Sequence, residues 1–392
     1  MIPVRELVEM LVAVKSVSNV DKRPTNKAIV DAISNLCEDA GCLVTQYPYL
    51  RNQQFNVVAT KGGEEPCFAL SGHTDTMPYD EADWDVGKLP LAVCEHNGSL
   101  YGRGVCDMKL ALATNIAAAS MISEHQLKRP FALYFTAEEE IGCLGAKSLV
   151  KESSFKLADQ IVVCEPTGLR VGNRHKGYMF MTVEVARVVA EGEKVFRHSS
   201  DDRHTTNALK AYIPEVVTAL REIEAYLRTI TNMYFDPPYT TMNLGDIKVS
   251  DDAAKNTIPI SFTLFLDVRP IPGVEMTGIV DLLIRKIERE VKSVKTIGTE
   301  VYEYKVKPKR QPTPAFLNLD SQLPAMFGED DPIPLGYNSE AGVFQAAGAD
   351  CVVYGPGLIS DAHIPNESIS LRYLEPSVVD SYAKAILSVC GR

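Results

Sequence analysis

The chain has 392 residues, 45% of them hydrophobic, with 51 acidic against 40 basic side chains and a formal charge of −11. That length exceeds the roughly 250–300 residues at which one core stops growing, so two domains are expected. The acidic balance argues against a nucleic-acid surface, and no run of about 18 or more apolar residues marks a membrane span. The opening Met1-Ile2-Pro3-Val4-Arg5-Glu6-Leu7 lacks the pattern of a signal peptide. Nine scattered cysteines, odd in number and without a Cys-x-x-Cys pair, fit reduced thiols in a cytoplasm better than a disulfide framework.

The first helix is predicted over Val4–Lys15 and the second over Asn26–Ala40, stopped by Gly41. Strands follow at Leu43–Pro48 and Asn56–Thr60, then an apolar run, Cys67–Leu70, that leads into His73. After the Gly-rich Tyr101–Gly104, the Ala/Leu/Met-rich segment Leu110–Ser123 reads as a buried helix. Strand and helix alternate as far as Glu165, the mark of α/β architecture with mostly parallel strands. The pattern then changes. Strands at Met179–Val189, Tyr239–Ile247, Ile258–Val268 and Thr299–Val306, with helices at Asn207–Ile230 and Gly278–Val294, predict an α+β insert over 178–307. Lys305–Pro314, with three prolines and four basic residues, reads as the return linker. Tyr337–Phe344 and Cys351–Tyr354 resume the first domain, and a helix over Pro376–Val389 closes the chain. The expected fold is thus a mixed, mostly parallel sheet flanked by helices, residues 1–177 and 308–392, carrying an inserted α+β domain.

Four apolar runs end in residues that suit a divalent cation: Cys67–Leu70 before His73 and Asp75, Phe131–Phe135 before Glu138-Glu139-Glu140, Ile161–Cys164 before Glu165, and Cys351–Tyr354 before a loop to His363. Ligands in open α/β sheets gather outside the carboxyl ends of the strands. Carboxylates packed there repel one another unless protons or cations neutralise them. Each residue also has a bland reading. A lone His after a strand is ordinarily just packed, Asp107 before a helix could be an N-cap, Glu165 a simple strand-end acid, and a loop His such as His363 is common. The acidic triplet is harder to dismiss, because it follows a run that reads as buried on both sides. One of its acids could ligate a metal while a neighbour acts as general base toward water. The His-x-Asp spacing suits Asp75 to orient His73, and Asp107 could bridge two ions. A zinc helix of the His-Glu-x-x-His kind, a Gly-x-Ser-x-Gly elbow, a dinucleotide loop and a P-loop are all missing. His96 and His125 read as surface residues.

Ser71-Gly72-His73-Thr74-Asp75, Gly104-x-x-Asp107-Met108-Lys109, Thr136-Ala137-Glu138-Glu139-Glu140, Cys164-Glu165-Pro166-Thr167 and Ala362-His363 together resemble the co-catalytic di-zinc deacylases and metallopeptidases. That group includes acetylornithine deacetylases, succinyl-diaminopimelate desuccinylases and glutamate carboxypeptidases. The resemblance is closest to the acetylornithine deacetylases, through Thr241–Gly245, Asp267–Gly273 and Gly355-Pro356-Gly357, and it runs over nearly the whole chain.

The resemblance implies two Zn2+ per chain, with Co2+ able to substitute. His73 and Glu165 would be terminal ligands of one ion, Glu140 and His363 of the other, and Asp107 would bridge them. Glu139 would be general base and then acid, with Asp75 orienting His73. The insert would be a lid and dimerisation domain of a homodimer, hinged near His175-Lys176-Gly177. Its His198 would stabilise the oxyanion, and Asn256 and Arg269 would bind the substrate carboxylate. The implied reaction is release of an acyl group, first of all acetyl, from the α-nitrogen of an amino acid, as in N2-acetylornithine to ornithine plus acetate, in cytoplasmic arginine biosynthesis. A desuccinylase or an exopeptidase would use the same centre. A non-catalytic binding protein is the rival of another class, but such descendants lose ligands or base, and here every position is filled. Two departures stand out. Arg197 replaces the family's usual glycine before His198, and Cys106 and Cys164 flank Asp107 and Glu165, which predicts sensitivity to thiol reagents.

Overall fold

The structure, a computed structural model, describes residues 2–19, 22–51, 53–86, 89–188, 208–249, 259–293, 302–309 and 311–392. The chain divides into two compact units, Met1–His175 with Phe316–Arg392, and Lys176–Ala315. Its helices are α1 (Val4–Ala13), α2 (Lys27–Asp39), α3 (Leu110–Met121), α4 (Leu144–Leu149), α5 (Ala208–Leu227), α6 (Met276–Ser293), α7 (Leu323–Met326), α8 (Ala341–Ala346) and α9 (Pro376–Cys390). The strands are β1 (Leu43–Tyr49), β2 (Gln54–Lys61), β3 (Phe68–His73), β4 (Cys94–His96), β5 (Ser99–Tyr101), β6 (Phe131–Thr136), β7 (Gln160–Val163), β8 (Gly172–His175), β9 (Met179–Arg187), β10 (Thr241–Val249), β11 (Ser261–Arg269), β12 (Tyr302–Pro308), β13 (Phe316–Leu317), β14 (Ile333–Leu335), β15 (Asp350–Val353) and β16 (Ser368–Ser370). No helix among the described residues is long and apolar enough to cross a membrane.

In the first unit a nine-stranded sheet runs β1-β2-β6-β3-β7-β15-β8-β13, with β14 paired to β8. The central strands β6, β3, β7 and β15 are parallel, and antiparallel pairs flank them. Strands of this kind are buried on both faces, which accounts for their continuous apolar runs. Alternation divides each run between two cores. Phe68, Leu70, Phe131, Leu133 and Phe135 pack with α1, α2, α3 and α9, while Ala69, Ala132 and Tyr134 face α4 and α8. Helix α3 is buried on every side from Leu110 to Ala119, as its Ala-rich sequence predicts.

Two buried lysines secure helix ends. Lys61 donates from Nζ to Ala40 O at 2.6 Å and Ala119 O at 2.9 Å, placing one cation at the C-terminal turns of α2 and α3. Lys109 donates to Val14 O, just beyond α1, at 2.8 Å. Burial depresses the Lys109 ammonium to about 7.

The register sets where the strands stop. His73 lies opposite Thr136, Ser71 opposite Val163, and Val163 opposite Val353. The four parallel strands therefore end along one edge. Beyond it the chain leaving β15 crosses that leaving β7 so closely that a Cβ on Gly355 would lie 2.3 Å from Cys164 O and 2.4 Å from Glu165 O. Only glycine fits that crossing.

The second unit is an antiparallel sheet, β10-β11-β9-β12, with α5 and α6. Phe262, Leu264, Leu266 and Val268 alternate inward on β11, and Ile279, Leu283 and Ile287 recur at helical spacing on α6. A further sheet, β16-β5-β4, was not expected from the sequence. Its strands have three residues each, too few to show a period.

Candidate metal centre

The strand ends deliver a compact set of imidazoles and carboxylates. His73 is the last residue of β3, and its ring is almost wholly buried. Its Nε2 lies 2.8 Å from Asp107 Oδ1 and 3.9 Å from Glu165 Oε2. His363 Nε2 lies 3.0 Å from Asp107 Oδ2 and 3.0 Å from Glu140 Oε1. The two oxygens of Asp107 thus face two different imidazoles. Ligand atoms of His73, Glu139 and Glu165 lie within 4.8 Å of one another, as do those of His73, Asp107 and Glu140. Such an oxygen and nitrogen donor set, most of it carboxylate, suits divalent first-row ions such as zinc.

Asp107 sits in a wide turn, Val105–Lys109, that leads into α3. Glu367 holds that turn. Its carboxylate accepts from the backbone N–H groups of Gly104 at 3.0 Å, Cys106 at 2.9 Å and Asp107 at 3.1 Å. It also pairs with Arg103 Nη1 at 2.8 Å, with both side chains buried. Glu367 follows His363 by four residues, so one carboxylate ties together the loops that carry Asp107 and His363. The sequence carries no signal for this; a single loop acid has no pattern.

Asp75 does two jobs. The His73 Nδ1–H is oriented by the main-chain carbonyl of Asp75 at 2.8 Å, while the Asp75 carboxylate is 3.7 Å from that nitrogen. The orienting contact therefore comes from the backbone of Asp75 and not from the side chain that the sequence pattern suggests. The carboxylate accepts instead from Ser18 Oγ and from the N–H groups of Glu139 at 3.0 Å and Glu140 at 3.2 Å.

The three adjacent acids take different surroundings. Glu138, in a left-handed backbone conformation with φ 54°, meets Arg23 at 3.1 Å and accepts from Tyr49 Oη at 3.1 Å. Glu139 accepts from Cys143 Sγ at 3.2 Å. Glu140 meets His363. Glu340, at the start of α8, is a further buried acid that sequence reasoning missed, and no donor reaches either of its oxygens with hydrogen-bonding geometry. The Thr136 and Ser71 hydroxyls nevertheless offset part of its burial penalty.

The electrostatics follow from crowding in a dry site. Burial pushes the carboxyls of Glu139 up to about 8, Glu140 to about 7 and Glu340 to about 7. Glu165 is also held well above the usual range by burial and by the charge of Asp107. Burial alone would depress His73, but the hydrogen bond to Asp107 and the surrounding carboxylates outweigh it and hold it well above its ordinary value. Hydrogen bonds to Asp107 and Glu140 raise His363 to about 10. Asp107 resists its own burial because both imidazoles donate to it, and it stays below the usual range.

His198, Asn256 and Arg197 lie outside the described residues. Arg269 ends β11 in the second unit, where its Nε and Nη2 engage Asp267 at 2.8 and 3.1 Å and its guanidinium lies 4.4 Å from the centroid of the Tyr178 ring. His96 and His125 are exposed, as expected. The expected thiol sensitivity is corrected. Cys106 and Cys164 are buried, burial pushes both thiols up, Cys164 to about 12, and they contact Leu358 O and Asn115.

Residues 69–388 match the model of Peptidase family M20/M25/M40. The chain is 31% identical over 383 residues to an acetylornithine deacetylase of Proteus mirabilis (strain HI4320), covering 95% of this chain and 93% of that protein. Among solved structures it is similar to the M20 family metallo-carboxypeptidase Sso-CP2 of Sulfolobus solfataricus, with a TM-score of 0.72, 17% identity and coverage of 98% and 97%. It is likewise similar to the YXEP protein of Bacillus subtilis, a dinuclear metal-binding peptidase, with a TM-score of 0.65, 15% identity and coverage of 98% and 97%. At those identities the likeness to solved structures is one of fold.

Two outcomes are expected. Glu367→Ala strips a buried guanidinium of its partner and frees three N–H groups, so it should cost roughly 3–5 kcal/mol in chemical unfolding. A variant of unchanged stability would show that Glu367 is not the clamp. The second outcome concerns pH. In the metal-free protein Glu139 and Glu140 bind protons more tightly than in the unfolded chain, from about 4.5 up to about 8 and 7, and His363 does so from about 6.5 up to about 10. Stability should therefore fall as pH rises across those windows. Asp107 acts in the opposite sense only below its ordinary 3.8. Adding zinc at neutral pH should raise the melting temperature and release protons. Calorimetry in buffers of different ionisation enthalpy would read those protons, and binding without release would contradict the assignment.

Proposed function

The chain belongs to Peptidase family M20/M25/M40 and is a hydrolase of that family, and from this premise we propose that it is a di-metal amide hydrolase that frees an acyl group from the α-nitrogen of an amino acid. N2-acetylornithine is the proposed substrate, giving ornithine and acetate in arginine biosynthesis in the cytoplasm. The observation that supports the reading best is Asp107, whose two oxygens face two imidazoles. His73 and Glu165 would hold one zinc ion, Glu140 and His363 the other, and Asp107 both, with cobalt able to replace zinc. Bound there, the cation pair polarises the amide carbonyl and lowers the pKa of water toward about 7.

The chain supplies the proton traffic. Glu139 takes a proton from the attacking water and passes it to the leaving amine. Burial makes Glu139 a weaker acid than an ordinary carboxyl, which suits a group that both accepts and returns a proton. Asp75 holds Glu139 by its N–H, which keeps the base next to the ligand set. His198 would donate to the oxyanion, and Asn256 with Arg269 would grip the free carboxylate. The Arg269 fork now rests on Asp267, so a substrate carboxylate has to displace an internal one. Residues 176–315 would serve as lid and dimerisation domain. Light scattering should return twice the chain mass, and a monomer would end that part of the reading.

The test is a panel of N2-acetylornithine, succinyl-diaminopimelate and a dipeptide, with and without chelator. Acetylornithine should be turned over fastest, with activity lost to the chelator and restored by zinc. Preference for the dipeptide would make the enzyme an exopeptidase on the same centre, as the likeness to solved peptidases allows. Glu139→Ala should keep two metal equivalents and lose roughly 10²–10⁴ in kcat, while Arg269→Ala should chiefly raise KM. Normal turnover by Glu139→Ala would end the mechanism.

A further inference from the structure

Away from the carboxylate cluster, the start of β3 and the end of α9 hold two thiols against each other. Cys67 Sγ and Cys390 Sγ are 3.4 Å apart. Both also point at one acceptor, Pro130 O, at 3.4 and 3.6 Å. The pair is clamped in place by backbone. Cys390 O accepts from Lys128 N at 2.7 Å and Arg129 N at 3.1 Å, and Cys67 N donates to Pro130 O at 3.0 Å. Residues 323 positions apart in the sequence are thus fixed with their sulfurs in van der Waals contact. A disulfide needs about 2.05 Å between sulfurs, an approach of about 1.4 Å from the observed separation.

The second observation is access. Cys67 lines an open cavity of about 440 Å³ whose walls carry Lys128, Arg129 and Lys156 beside Glu65 and Asp159. Basic side chains predominate there, which favours a small molecule bearing carboxylates. The Cys106 and Cys164 thiols are engaged within the core. Neither Cys67 nor Cys390 touches the candidate ligands.

We propose that Cys67 and Cys390 are a dithiol–disulfide pair, oxidised by a small anionic disulfide of the glutathione kind that enters this cavity. The Cys67 thiolate attacks one sulfur of the small disulfide. The bond between its sulfurs breaks, a mixed disulfide forms at Cys67, and one small thiolate leaves. Cys390 then attacks Cys67 Sγ, its proton passes to the departing second thiolate, and the Cys67–Cys390 bond closes. The protein loses two electrons and two protons, and the small disulfide gains them as two thiols. The order follows from the surroundings, because Cys67 lines the cavity and Cys390 is not among its lining residues.

The experiment uses the metal-loaded full chain and oxidised glutathione. After alkylation of free thiols, peptide mapping should find a linked pair of peptides containing Cys67 and Cys390, with the loss of two hydrogens, reversed by dithiothreitol. In Cys390→Ser the same treatment should arrest at one glutathione on Cys67. Cys94, the one cysteine of the nine that is not buried, is the internal control for unselective labelling. Modification confined to Cys94, no modification at all, or glutathione persisting on Cys67 of the unaltered chain with Cys390 still free would each overturn the proposal. The mapping of the unaltered chain decides the matter even where Cys390→Ser fails to fold.

Discussion

Everything in the first unit rests on the hydrogen-bonded register of four parallel strands. β6, β3, β7 and β15 stand side by side and point the same way. Parallel pairing without a shift forces their carboxyl ends to one edge, and each then delivers its next residues to the same place. His73 comes straight off β3, Glu139 and Glu140 from the turn after β6, and Glu165 from the turn after β7. Parallel strands also need helices on both faces, so the runs themselves are apolar throughout. The polar residues have no place to go but the ends. Fold and site are in this sense one consequence of one pairing pattern.

Collecting acids at a dry edge is costly, and the structure shows how the cost is met. Two imidazoles donate to the two oxygens of Asp107, and burial makes Glu139, Glu140 and Glu165 weaker acids than usual. Divalent cations bound among these groups would take over that neutralisation. The exchange is favourable only if the carboxylates stay put when the protons leave. Asp75 and Glu367 meet that requirement. Neither faces an imidazole through its carboxylate at hydrogen-bond distance. Each spends its charge on backbone N–H groups, Asp75 on the turn that carries Glu139 and Glu140, Glu367 on the turn that carries Asp107.

The parts legible in the sequence were those with a repeating physical cause. Apolar runs ending in His73, Glu140 and Glu165 mark parallel strands and their outer edge, and they needed no partner to be recognised. α1, α2 and α9 were predicted to within two residues because their apolar faces recur at helical spacing, and α3 because its Ala-rich composition marks a helix buried all round. The clamps were not legible. Glu367 and Glu340 are single acids in loops or at a helix start, and only tertiary contact distinguishes them from solvent-facing neighbours. Asp75 was found for a reason that holds only in part, since its backbone and not its side chain fixes His73. The reactivity assigned to Cys106 and Cys164 failed because adjacency in sequence says nothing about burial. Cys67 and Cys390 lie 323 positions apart in the sequence, and nothing short of the fold could pair them.

The acidic triplet shows why geometry rather than composition assigns the roles. Glu138, Glu139 and Glu140 are chemically identical and adjacent, so no intrinsic property separates ligand from base. The backbone separates them. The left-handed turn at Glu138 sends its carboxylate to Arg23 and Tyr49. Asp75 then fixes the next two N–H groups together, which leaves their side chains to diverge, Glu140 to His363 and Glu139 toward Cys143. A thiol is a weak donor and does little to stabilise charge. Glu139 is therefore the member of the triplet with the least compensated carboxylate, and in a buried setting that is the condition for a group that both accepts and returns a proton near neutral pH.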